Sequence, residues 1–167
     1  MERFQIVSDS SCDLGRERAK ELGVTLVSFY VSFDGENYYR EEQDITNREF
    51  YQQMADRPGV FPRTSMPTVE DYLTVLRPMV ERGEPVLCVC LNAPFSGSFQ
   101  AARNARSLLM EEFPRAEVCV LDSQLATVLQ GVLVLEAVHL RDAGVSLAAA
   151  AAQLESNRKT GRIFFTT

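Results

Sequence analysis

The sequence has little of what most enzymes act with. Its 167 residues include one histidine, His139, and two lysines, Lys20 and Lys159. A serine nucleophile needs a base beside it, and His139 lies in the middle of a helical pattern, far from any strand end, which argues against a serine hydrolase. No GxSxG, no GxxxxGK[ST] and no GxGxxG occurs, so the nucleophile elbow, the P-loop and the dinucleotide fingerprint are missing. The four cysteines form no CxxC, and one histidine cannot complete a zinc set with them. No run of Lys or Arg breaks a net charge of −6, which argues against a nucleic-acid partner. Apolar runs stop short of the ~18 residues of a membrane helix, and MERFQIVSDSS lacks both the basic and the apolar parts of a signal peptide. These absences predict a cytoplasmic protein with no membrane span.

What is present reads as one soluble domain, with 46% hydrophobic and 24% charged residues. Cys88, Cys90 and Cys119 fall inside strand-like runs, where a thiol acts as a small hydrophobe. Cys12 falls in the turn DSSCD, where a helix start could stabilise a thiolate. FQIVSD predicts a strand and DLGRERAKELG a helix stopped by Gly23. VTLVSFYVSF predicts a strand that meets the hairpin signal Asp34-Gly35, with ENYYR returning. Thr46 and Glu49 form a capping-box pattern, and Thr68, with Asp71 three positions on, can cap the helix of TVEDYLTVLRPMVERG, which Pro78 should kink or shorten. VLCVCL and EVCVLD predict strands, each followed by a helix. A further helix covers SLAAAAAQLES, and RIFFTT ends the chain as a strand. The expected fold class is α/β, a mainly parallel sheet with helices on both faces.

In such sheets ligands gather at the carboxyl ends of the strands, and three loops fit that description: SDSSCD, NAPFSGS and DSQ. Asp9 and Asp122 both end strands. They read either as helix caps or as Mg²⁺ ligands of a phosphotransferase or phosphatase, although no second carboxylate stands two residues after Asp9. A helix beginning at Ser96 to Ser98 aims unpaired N–H groups and a positive dipole end beyond the strand. Gly97 permits close approach, and Thr64 and Ser65 in RTSMPT add a second pair of hydroxyls. Neutral donors suit a single carboxylate better than a polyphosphate, although the charge of Arg63 could serve a phosphate.

The segments IVSDSSCDL, YYREEQDITNREFYQQM, PRTSMPT, LNAPFSGSFQAARNA, VCVLDS and LQGVLVLEAVHL, in this order, resemble the DegV family of bacterial fatty-acid-binding proteins. The resemblance implies a two-domain α/β fold that buries a long-chain fatty acid and presents its carboxylate to a fatty acid kinase, with no cofactor and no catalytic residue of its own. On matching positions, Thr64 and Ser96 would hold the carboxylate, and Ser65, Gly97 and Ser98 would complete the two loops. Met66 stands where the family usually has Gln, Asn92-Ala93 replaces a Ser pair, Pro94 and Phe95 are unusual fillers, and Ser98 replaces Thr. The resemblance also implies that residues 1–160 form the N-terminal α/β domain. Residues 161–167 would then open a truncated second domain, with self-association as a means of restoring the missing wall of the acyl cleft.

Overall fold

The structure, a computed structural model, describes residues 3–162 and 164. In chain order come β1 (Gln5–Asp9), a 3-10 turn (Ser10–Cys12), α1 (Arg16–Glu21), β2 (Val24–Val27), β3 (Tyr30–Ser32) and β4 (Tyr39–Arg40). Then follow α2 (Asn47–Asp56), β5 (Arg63–Ser65), α3 (Val69–Glu81), β6 (Val86–Cys90) and α4 (Ser98–Glu112). β7 (Val118–Asp122), α5 (Thr127–Asp142) and α6 (Leu147–Asn157) complete the described elements. For residues 163 and 165–167 the strand expected in RIFFTT, and with it most of the segment expected to open a second domain, lies outside the described residues.

Period-two side-chain alternation distributes the apolar runs to two faces. Ile6, Leu87 and Val89 face a cluster with Leu133, Val134, Ala137 and Leu154, contributed by α5 and α6. Val7, Val86, Cys88 and Cys90 face the other side, against Tyr72, Leu76, Ala102 and Leu109 of α3 and α4. Strands buried on both faces need apolar residues at every position, and all of β6 is buried. The sheet runs β2-β1-β6-β7, wholly parallel, with helices on both sides as the sequence predicts. Among the described residues β7 is an edge of this sheet, where Arg106 Nε donates to Val118 O at 2.6 Å and Arg158 Nη1 donates to Asp122 O.

A second, antiparallel sheet, β4-β3-β5, differs from expectation in two ways. VTLVSFYVSF does not form one strand. It breaks at Ser28-Phe29, where Ser28 Oγ donates to Glu41 O at 2.7 Å and Phe29 N donates to Ser10 Oγ at 2.9 Å. The first half joins the parallel sheet; the second turns into the small one. RTSMPT is also more than a loop, since Thr64 pairs with Val31 and Ser65 with Tyr30. The Asp34-Gly35 hairpin forms as read, with Asp34 Oδ1 accepting from Glu36 N and Asn37 N, both at 2.8 Å. Both capping boxes form. Pro78 does not end α3, which continues to Glu81.

Candidate functional site

The loops after β1, β6 and β7 meet at the carboxyl end of the parallel sheet, and the two aspartates singled out in the sequence tie them together. Asp9 is wholly buried. Its Oδ2 accepts from Leu91 N at 3.0 Å and from Ser98 Oγ at 2.8 Å, with the Tyr72 hydroxyl at 3.5 Å. Its Oδ1 accepts from Gln130 Nε2 at 2.7 Å and Ser11 Oγ at 2.6 Å. None of these donors is charged. A buried carboxylate is tolerated when its lone pairs are filled in this way. A cation would have to displace these donors, so Asp9 is not placed as a metal ligand. Nor is it a cap, since its side chain makes no capping bond to the 3-10 turn that follows. Asp122 Oδ1 accepts from Ala93 N at 3.2 Å and Gln124 N at 2.9 Å, which joins the loops after β6 and β7. The two carboxylates thus fasten three loops, and the donors that fill Asp9 take from the Mg²⁺ reading the first of its two ligands.

α4 begins at this junction. Its cap is Gly97, no side chain caps it, and its first turn holds no acidic residue. α3 differs: Thr68 accepts from Asp71 N at 3.1 Å, and Asp71 Oδ2 accepts from Thr68 N at 2.7 Å. Burial works to raise the Asp71 carboxyl, but the Thr68 donors and the Tyr30 hydroxyl outweigh it and hold it below its ordinary value. The positive end of α3 is thus already matched by its own acid, while α4 has no acid in its own first turn.

The structure places the five residues expected to bind ligand as follows. Thr64, Ser65 and Gly97 are exposed, Ser96 is half-buried, and Ser98 is fully buried. Ser96 Oγ accepts from Ser98 N at 3.2 Å. Ser98 Oγ is engaged inward with Asp9 and, at 2.7 Å, with Tyr72 OH. The two hydroxyl loops do come together: a Cβ built on Gly97 would lie 2.5 Å from Met66 Sδ and 3.0 Å from its Cε. Arg63 is turned toward the β3–β4 hairpin, with its Nη1 3.0 Å from a Cβ built on Gly35. Met66 and Phe95 are 43% and 53% exposed, so the mouth of this junction is apolar.

Other candidates are answered by position. Cys12 is buried, which pushes its thiol up and away from the thiolate considered for it. Cys88 and Cys90 are buried and Cys119 partly so, all free. His139 lies in the last turn of α5, about 18 Å along the axis from the helix start near the site at ~1.5 Å per residue. Sequence reading missed Tyr72 and Gln130. Tyr72 sits among apolar core positions of α3, and burial, with Cys90 and Asp9 adding, drives its phenol well above its ordinary value. Gln130 had one signal, a polar residue in an otherwise apolar stretch of α5.

The sequence pattern of the family described as "Uncharacterised protein, DegV family" matches residues 3–167. The fold is similar to a solved fatty acid (stearic acid)-binding protein from Eubacterium ventriosum, at 47% identity and a TM-score of 0.86, covering 91% of this chain and 52% of that one. It is similar also to a fatty-acid-binding DegV family protein from Thermus thermophilus, at 37% identity and a TM-score of 0.79, covering 94% of this chain and 54% of that one. A DegV domain-containing protein of Clostridium acetobutylicum is 30% identical over 96% of this chain and 55% of its own length. The chain spans about half the length of these proteins. No helix among the described residues is long and apolar enough to cross a membrane.

Proposed function

Since the chain belongs to the DegV family, we propose that it binds a long-chain fatty acid and holds the carboxylate between the loops of Thr64 and Ser96. The observation that carries this reading is the contact of Met66 with Gly97, which joins a hydroxyl-bearing loop to a helix start that has no side-chain cap and no acid in its first turn. Thr64 and Ser96 donate to the carboxylate, Ser65 and the Gly97 backbone line the same gap, and Ser98 acts from below. Hydroxyl donors to a charged acceptor are worth about 1.5–3 kcal/mol each, whereas each buried methylene is worth about 0.8 kcal/mol, on the order of 10 kcal/mol for a long chain before association costs. The head group therefore sets orientation and the tail sets affinity.

The protein's part is carriage rather than chemistry, and it needs no cofactor: a carboxylate held at an exposed strand-end junction stays within reach of a fatty acid kinase that phosphorylates it. We place this function in the cytoplasm. The tail requires apolar enclosure, and the exposed Phe61, Met66 and Phe95 near β5 and α4 favour self-association as one means of providing it. Mass spectrometry of the undenatured protein is expected to find a co-purified fatty acid, and the Ser96→Ala and Thr64→Val variants are expected to retain about tenfold less on the worth of a charged hydrogen bond. An unliganded protein that takes up neither palmitate nor oleate overturns the reading.

A further inference from the structure

The geometry points to Asp9 as the positioning residue of the head-group site, acting through Ser98 on Ser96. This inference rests on the proposed fatty-acid reading. Asp9 Oδ2 holds both ends of the loop that carries Ser96: Leu91 N–H at its start, 3.0 Å away, and Ser98 O–H at its end, 2.8 Å away. The next link runs from Ser98 N to Ser96 Oγ, 3.2 Å. Because Ser98 gives its proton to Asp9, the Tyr72 hydroxyl donates to Ser98 at 2.7 Å and fixes it from a second side. Because Ser96 accepts from Ser98, one of its lone pairs is engaged and its proton is left free to donate to the ligand. The order of the chain of bonds is therefore Asp9 and Tyr72, Ser98, Ser96, ligand.

The other carboxylate oxygen joins this chain to the body of the fold. Oδ1 is held by Gln130 of α5 and Ser11 of the first turn, and Gln130 Nε2 also lies 3.2 Å from Ser8 Oγ. α5 cannot drift from this place, because Gly131 packs on the same turn, with a Cβ there only 2.4 Å from Cys12 O. Asp9 thus refers the ligand hydroxyl to the parallel sheet and to helices on both its faces. A fully buried acceptor with neutral donors on both oxygens fixes direction more strictly than an exposed one, since a displaced donor finds no water to replace it. Ser98 differs in role from Ser96: it touches the positioning group and not the ligand.

A double-mutant cycle separates positioning from general structural support. Oleate dissociation constants are measured for the parent, Ser98→Ala, Asp9→Asn and Ser96→Ala, and for Ser98→Ala and Asp9→Asn each combined with Ser96→Ala. The expected result is a loss of about tenfold for Ser98→Ala in the parent background and less than about twofold in the Ser96→Ala background, because the effect is transmitted through a hydroxyl no longer there. Ser98→Thr, which keeps the hydroxyl, is expected to restore binding. Ser98→Ala leaves Asp9 bonded to Leu91, Gln130 and Ser11, so it keeps the test available where Asp9→Asn does not fold. Equal losses in both backgrounds overturn the positioning role while the fatty-acid reading stands. A parent that binds no oleate overturns both.

Discussion

Gly97→Ala tests the contact on which the head-group site depends. Gly97 has φ −72° and ψ 2°, so alanine meets no backbone strain there. The added Cβ would instead lie 2.5 Å from Met66 Sδ and 3.0 Å from Cε, a separation that real atoms do not tolerate. What must yield is the end of a flexible, 43% exposed thioether rather than backbone. Alanine is a poorer cap than glycine by a few tenths of a kcal/mol or more, but it loses about 0.4–1 kcal/mol less chain entropy on folding. The midpoint of denaturant unfolding should therefore stay near that of the parent. Ligand binding should not: Met66 swings into the gap between the Thr64 and Ser96 loops, and a loss of about 1 kcal/mol, roughly fivefold in oleate affinity, is expected. The assay is fluorescence competition for oleate on Gly97→Ala, Met66→Ala and the double variant, with Met66→Ala restoring what Gly97→Ala loses. If Gly97→Ala costs the same affinity with Met66 removed, the two loops do not meet through this pair and the reasoning fails.

Three further outcomes are expected. Gly131→Ala inserts a methyl 2.4 Å from the Cys12 carbonyl, a backbone neighbour that cannot rotate away, and should cost about 1–3 kcal/mol in denaturant unfolding despite the better helix propensity of alanine. Burial, opposed by the Ser10 hydroxyl and reinforced by Asp13, Glu42 and Asp9, raises the Glu41 carboxyl. A raised acid favours the folded state below its unfolded value, near 4.5, and loses that stability as pH climbs through the folded one. Glu41→Gln should therefore flatten the pH–stability curve above about 4.5, and an unchanged curve would count against the burial argument. Cys12 and Cys90 should resist alkylation by iodoacetamide at pH 7.5 in the native protein and react after unfolding, since both are buried with raised thiols.

Much of the fold is written locally. The apolar runs of β1, β6 and β7, the two capping boxes and the Asp34-Gly35 turn depend on residues within a few positions of each other, so their spacing carries the information. The same holds for the loop that begins α4. A glycine cap between two serines after a buried strand marks an open helix start, whatever packs around it. β5 was not legible, because three exposed residues, Arg63, Thr64 and Ser65, have no apolar alternation and become a strand only through pairing with β3. The break of VTLVSFYVSF was hidden for a related reason: β propensity runs through Ser28 and Phe29, and the bonds that part the two strands come from Ser10 and Glu41.

The sequence by itself determined a three-layer α/β protein with hydroxyl-rich loops at the strand ends and without the residues of the common catalytic sets. Only the tertiary structure decided what those loops do to one another. Asp9 could be read as a cap or a metal ligand until Leu91, Ser98, Tyr72 and Gln130, from three helices and a neighbouring strand end, were seen to surround it. Ser96 and Ser98 look equivalent in the sequence, yet one is half-buried and accepts from a backbone N–H, while the other is fully buried and gives its proton to a carboxylate. The physical reason is that periodicity and capping are set by neighbours along the chain. The partner of a buried polar group is set by which segments the sheet order brings within about 3 Å, the range of a hydrogen bond.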